Sequence, residues 1–291
     1  MECLSCNGAV NESDNFCKNC GVPLKESADK SKLTAEQICR IVQLSFVYEI
    51  ENLIDKAIDN YTMVLSQVTE GYPDVHFKLA SAYEAKGKMG KAIAECQKAV
   101  KINPNYIEAH RKLAELYNDE ALYNEAIEEF KKVLSIEVKY TYADVHNNLG
   151  VAYEKSDNHK HAEESYKKAI AINPKYGKAH FNLGNLYSDM KRYDKAVEEY
   201  KKAIESGFKN PLCLNNLALA LIEKNEKEEA ESILKSLVED NPEYIFARKN
   251  LISLHLQSKK LDEARKEAEE ILKIDPEDAE ARQVISNINN A

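Results

Sequence analysis

Residues 146–170 read HNNLGVAYEKSDNHKHAEESYKKAI, and residues 180–204 read HFNLGNLYSDMKRYDKAVEEYKKAI. Leu, Gly, Tyr and Ala stand at the same places in both stretches, 34 positions apart. Within each stretch the apolar residues recur at the spacing of an amphipathic helix, in two runs separated by a polar turn. Residues 110–134, HRKLAELYNDEALYNEAIEEFKKVL, repeat the pattern with Ala in place of Gly. A small residue after the leucine lets two helices approach closely. The Ala that opens the second run does the same from the other side, and Tyr fills the gap between them. Such a helix pair cannot bury its apolar faces alone and must stack on its neighbours.

Outward from these blocks the pattern continues in both directions. Blocks start near Ile38, Pro73, Ile107, Ala143, Gly177, Pro211 and Ile245. The second-helix alanine recurs as Ala57, Ala92, Ala126, Ala162, Ala196, Ala230 and Ala264. Pro104, Pro174, Pro242 and Pro276 stand where the second helix must stop. Asn124, Asp194 and Asp262 are read as N-caps, and Thr34-Ala-Glu-Gln as a capping box. This array resembles the tetratricopeptide repeat (TPR) family. The resemblance implies an all-α, right-handed α-solenoid of about seven TPR helix pairs over residues 34–291, closed by a capping helix at 279–289. The sequence departs from the family in having no Trp, with His76, His110, His146 and His180 at the fourth position of their blocks. These histidines are expected to pack rather than to bind metal. The first block is degenerate, and the last has Ile252 for the small residue and His255 for the Tyr.

Residues 1–25 are of another kind. Cys3, Cys6, Cys17 and Cys20 form two Cys-x-x-Cys pairs. One tight turn presents two sulfurs to one metal, and two such turns complete the tetrahedral S4 set that zinc prefers, although iron also accepts it. So short a segment has too little to bury and needs a metal or disulfides to fold. With Phe16, Gly21, Pro23 and Leu24 the stretch resembles the short zinc ribbon, which implies a structural zinc ion. Asn7 departs from the Gly usual there. Residues 26–33 read as a polar linker.

Composition narrows the function. The formal net charge is −9 and no apolar run approaches the length of a membrane span. Residues 1–32 carry four lysines and five acids, a poor match to phosphate. The N-terminus lacks the basic and apolar regions of a secretory signal. Three of the seven cysteines, Cys39, Cys96 and Cys213, lie scattered in helical sequence, which suits a reducing compartment, and the protein is read as cytoplasmic. Cys96 reads as a buried thiol. No phosphate-binding glycine loop, zinc-protease motif or nucleophile elbow is present, so the protein is read as not an enzyme.

In TPR proteins the first helix of each repeat lines an inner groove. Its sixth position here carries Asn148, Asn182, Asn216 and Asn250 in successive blocks. An amide both donates and accepts, so a row of them can hold an extended chain by its backbone, similar to the asparagine ladder of some peptide-binding TPR proteins. Arg111, Asn148 and Lys178 partly match the carboxylate clamp of chaperone-binding TPRs, although Glu115 and Asn182 depart from it. Leu219, Ile222, Phe246 and Leu256 fall at groove positions and suit a peptide with apolar anchors, or pack against the next repeat. The expected function is a protein–protein interaction scaffold that binds a partner peptide, with the zinc ribbon as a second contact module. A nucleic-acid-associated adaptor using the ribbon and a co-chaperone-like binder of C-termini are the alternatives, and self-association stays open.

Overall fold

The computed structural model describes residues 33–68, 71–136 and 142–289. The four-cysteine segment and nearly all of the linker lie outside the described residues, as does the expected zinc site. Among the described residues there are fifteen helices and no strand. The chain divides into two compact units at Thr141–Tyr142.

The first unit holds three helix pairs: α1 (Ala35–Ile50) with α2 (Ile54–Gln67), α3 (Pro73–Ala85) with α4 (Met89–Ile102), and α5 (Ile107–Asp119) with α6 (Tyr123–Ile136). The second holds four: α7 (Ala143–Lys155) with α8 (His159–Ile172), α9 (Gly177–Asp189) with α10 (Tyr193–Glu205), α11 (Pro211–Glu223) with α12 (Lys227–Asp240), and α13 (Ile245–Gln257) with α14 (Leu261–Ile274). It ends in the single helix α15 (Ala279–Asn289). Seven helix pairs and a capping helix are thus present.

The small residues work as their spacing predicts. All seven second-helix alanines are completely buried. At the eighth position of the first helix, Gly184 faces Tyr200 so closely that a Cβ there would lie 2.7 Å from the ring, and Gly150 meets Tyr166 in the same way. The last pair inverts this arrangement. Ile252 occupies the small-residue position, and Ala268 stands where the earlier pairs have Tyr166 and Tyr200; both are buried in one cluster with Ile271 and Ala281. The departure seen in the sequence is therefore an exchange of volumes between two helices, which keeps the interior filled.

Each pair turns through one left-handed residue. Asn52, Gly87, Ala121, Asp157, Lys191, Asn225 and Lys259 all have positive φ. Thr34 caps α1, accepting from the Gln37 N–H while its own N–H donates to Gln37 Oε1 at 2.8 Å. The other capping expectation fails. Asn124, Asp194 and Asp262 lie inside the first turn of their helices, and the N-cap residues of α10 and α14 are Arg192 and Lys260, which make no side-chain cap. There Asp194 and Asp262 act on the helix dipole, since an acid in the first turn is favourable.

The histidines tie helix to helix. Nδ1 of His76, His110 and His180 lies 2.5–2.6 Å from the carboxylates of Glu95, Glu129 and Glu199, each nineteen residues later on the second helix. Nε2–H of His110 and His180 donates to the carbonyls of Pro104 and Pro174. Arg248 does both tasks in the last pair, reaching Glu267 at 2.7 Å and the Pro242 carbonyl at 3.2 Å. Arg282 of α15 likewise donates to the Pro276 carbonyl. For His146 of α7 the position nineteen residues later, on α8, is Ser165, and His146 Nδ1 is buried with no partner among the described residues.

Neighbouring pairs of the second unit are joined by two acids at equivalent places. Glu163 of α8 accepts from Tyr187 and Arg192, and Glu231 of α12 accepts from Lys260 at 2.7 Å. Hydrogen bonds from Lys235 and Lys260 hold the Glu231 carboxyl down at about 2.

Candidate functional site

Within each unit the face formed by the first helices carries residues singled out in the sequence. Their positions follow from helical spacing: the fifth, sixth and ninth residues point to the same side of each helix and stand beside their counterparts on the next. In the second unit Asn182 of α9, Asn216 of α11 and Asn250 of α13 are half-buried on this face.

These asparagines are not idle side chains. Asn182 Nδ2 donates to Asn147 Oδ1 at 2.9 Å, Asn216 Nδ2 to Asn185 Oδ1 at 3.0 Å, and Asn250 Nδ2 to Asn215 Oδ1 at 2.7 Å. Asn147 Nδ2 in turn donates to Asn148 Oδ1 at 3.2 Å. The acceptors Asn147 and Asn215 are buried. One N–H of each half-buried asparagine is therefore committed to the neighbouring first helix. An amide has two N–H donors and an acceptor oxygen, so each side chain keeps polar groups to offer a ligand. The contact also fixes its orientation, which lowers the entropy lost when a ligand binds.

Asn147, Asn185 and Asn215 were not singled out for this role in the sequence. The signal was present: an Asn thirty-five residues before Asn182 and another thirty-five before Asn250. That distance is one repeat plus the single residue separating the fifth and sixth positions, so it marks contact between adjacent first helices.

Apolar side chains stand on the same face. Phe246 at the second position of α13 is 70% exposed, with its ring 5.9 Å from that of Tyr244. Leu219 and Leu256 are also exposed, and so is Leu212 at the second position of α11. Ile222 instead packs against the main core of the second unit, and Phe181 is buried in it. Of the groove positions, then, Leu219, Phe246 and Leu256 offer apolar surface and Ile222 does not.

The cations of the supposed clamp have different surroundings. Arg111 lies in the first unit, where its Nε donates to Glu115 at 3.2 Å. This acid beside the guanidinium offsets part of the charge a carboxylate ligand would need. Lys178 lies in the second unit and is exposed. In the first unit the sixth position carries Lys112, which bridges to Glu84 of the preceding first helix at 2.7 Å. An ion pair here takes the place that the amide relay has in the second unit.

The cysteines and the exposed histidine of the described helices are structural in their surroundings. Burial raises the Cys96 thiol to about 12 and that of Cys213 to about 11, so neither is an activated nucleophile. His161 stacks on Tyr153 with centroids 5.1 Å apart. Its Nδ1 meets Asn158, the N-cap residue of α8. Among the described residues no group of three or more His, Cys, Asp or Glu is placed to hold a metal ion. No helix there is long and apolar enough to cross a membrane.

Comparison with known proteins agrees with this fold. Tetratricopeptide repeat profiles match residues 73–106, 143–176, 177–206 and 221–288, together more than half of the chain. No curated protein matches it in sequence. Among solved structures, MamA is similar at 30% identity with a TM-score of 0.53, over 57% of this chain and 90% of MamA. The C-terminal part of a TPR repeat-containing protein from Cytophaga hutchinsonii superposes with a TM-score of 0.69 at 16% identity, covering 84% of this chain and 99% of that one. YrrB, described as a TPR protein with an unusual peptide-binding site, has a TM-score of 0.53 at 20% identity, over 69% of this chain and 97% of YrrB.

Proposed function

Because the chain belongs to the tetratricopeptide repeat family, we propose that it is a non-catalytic scaffold that holds an extended partner peptide on the first-helix face of its second unit. The observation that carries this reading is the row formed by Asn182, Asn216 and Asn250 beside exposed Leu219, Phe246 and Leu256. The asparagines are tied at one N–H to the neighbouring helix and keep groups with which to pair a peptide backbone. The exposed apolar side chains supply surface on which one or two apolar anchors can pack. Backbone pairing gives affinity with little demand on sequence, and the anchors give selectivity, the division of labour seen wherever extended peptides are bound.

Cys3, Cys6, Cys17 and Cys20 fit a structural zinc ion by number and spacing, with all four ligand positions filled and none open for catalysis. Metal analysis of the purified protein should find one zinc per chain, and a chelator should release it together with four reactive thiols. Iron, or four thiols that titrate in the untreated protein, contradicts the assignment. With thiolate ligands and scattered cysteines in helical sequence, the protein belongs in a reducing compartment, the cytoplasm.

The binding proposal is tested by selecting peptides from a random library on the full-length protein and measuring their affinities for a variant with Asn182, Asn216 and Asn250 all changed to Ala. Circular dichroism must show that the variant remains helical. The proposal requires that selected peptides share apolar anchors and bind the variant at least ten times more weakly. Peptides that bind both proteins equally place the working surface elsewhere.

A further inference from the structure

In the first unit, the third, seventh and tenth residues of a first helix face the preceding pair. Val75, Leu79 and Ala82 of α3 are buried, and so are Ala109, Leu113 and Leu116 of α5. In α1 the same positions are Arg40, Leu44 and Val47, and no described pair precedes them. Leu44 is 46% exposed and Val47 45%. They sit one turn apart on one side of the helix and form an uncovered apolar strip where the terminal repeat of an array ordinarily turns a polar face to water.

At the other end of the array the chain supplies its own cover. Ile285 and Ile288 of α15 pack against Ile252 and Ile271. The N-terminal end has a comparable length of chain available. Thirty-two residues precede Leu33, where the described structure begins. Six of the first twenty-five are large and apolar: Met1, Leu4, Val10, Phe16, Val22 and Leu24. The eight-residue linker at 26–33 spans up to about 26 Å when extended. Val47 lies twelve residues along α1 from its first residue, about 18 Å at the helical rise. The tether reaches.

We propose that residues 1–25 dock on the Leu44–Val47 strip of α1 and close the N-terminal end of the array, as α15 closes the other end. The four-cysteine segment is on this view a metal-folded end cap, and loss of its metal uncovers α1. This inference is independent of the peptide-binding proposal, which concerns the second unit.

The test places a photo-reactive benzoylphenylalanine at position 47 of the full-length, zinc-loaded protein. Irradiation should give a cross-link within one chain to residues 1–25, found by mass spectrometry in the band of monomer mass. A cross-link to a second copy, seen at twice the mass, overturns the proposal in favour of dimerisation through α1. No cross-link in the purified protein, or one that forms only when cell extract is added, overturns it in favour of solvent or of another protein. A second measurement needs no cross-linker. In a Leu44→Asp, Val47→Asp variant, backbone amides within residues 1–25 should exchange with deuterium at least several-fold faster while α3–α15 keep their wild-type rates. Equal exchange of residues 1–25 in the two proteins contradicts the docking.

Discussion

At position 146 the chain keeps a histidine whose usual partner is missing. His76, His110 and His180 each meet a glutamate of their second helix, but His146 has Ser165 at that place and an unpaired Nδ1 among the described residues. Burial, with the nearby Lys168 charge, holds the His146 pKa below its ordinary value of 6.5, which favours the neutral ring. Changing Ser165 to Glu recreates the pair found in the other blocks. The expected gain is about 1 kcal/mol at neutral pH, the net worth of an ordinary intramolecular hydrogen bond. Thermal unfolding of Ser165→Glu should show a rise of a few degrees that disappears when His146 is also changed to Ala. An equal rise in both backgrounds would assign the effect to something other than the pair.

A single helix pair shows how sequence fixed pattern without fixing every contact. The Leu-small-x-x-Tyr blocks and the recurring alanines give the seven pairs and the capping helix directly, because the spacing of small residues is set by helix geometry. What the individual block conceals is compensation between its two helices. Ile252 looks like a defect until Ala268 is placed opposite it, sixteen residues along the chain. The same holds for Asn147, Asn185 and Asn215, whose meaning lies in a neighbouring helix. The N-cap assignments failed for a related reason: the connecting turn uses a left-handed residue, and the second helix begins earlier than its first polar residue suggests. The volume exchange makes a definite prediction. Ile252→Ala opens a cavity against Ala268 and should cost roughly 2–4 kcal/mol in chemical denaturation. Adding Ala268→Leu should recover part of that loss, and no recovery would show that the two positions are not coupled.

Over the whole molecule the ion pairs between helices set a pH response. Burial opposes ionisation of Glu95, Glu129 and Glu199, but hydrogen bonds from their histidine and lysine partners outweigh it and hold all three below the ordinary 4.5. A carboxyl with a lower pKa in the folded state binds fewer protons there than when unfolded. Its contribution is therefore complete above about 4.5 and is lost as pH falls through the folded value. The melting temperature should fall steeply below pH 4.5, and Glu199→Gln should make that fall shallower while lowering stability at pH 7. An unchanged slope in the variant would mean that the acid sensitivity arises elsewhere.

Peptide binding by the second unit is the central functional claim, and Phe246 gives the most direct access to it. The side chain is 70% exposed, so its removal disturbs little of the fold. Covering a phenylalanine fully is worth roughly 1.5–3 kcal/mol, which is tenfold to about a hundredfold in affinity. The decisive measurement is a calorimetric titration of a library-selected peptide into wild type and into Phe246→Ala. The account predicts at least a tenfold loss of affinity at an unchanged melting temperature. Equal affinities in the two proteins would contradict it and leave this face without a ligand.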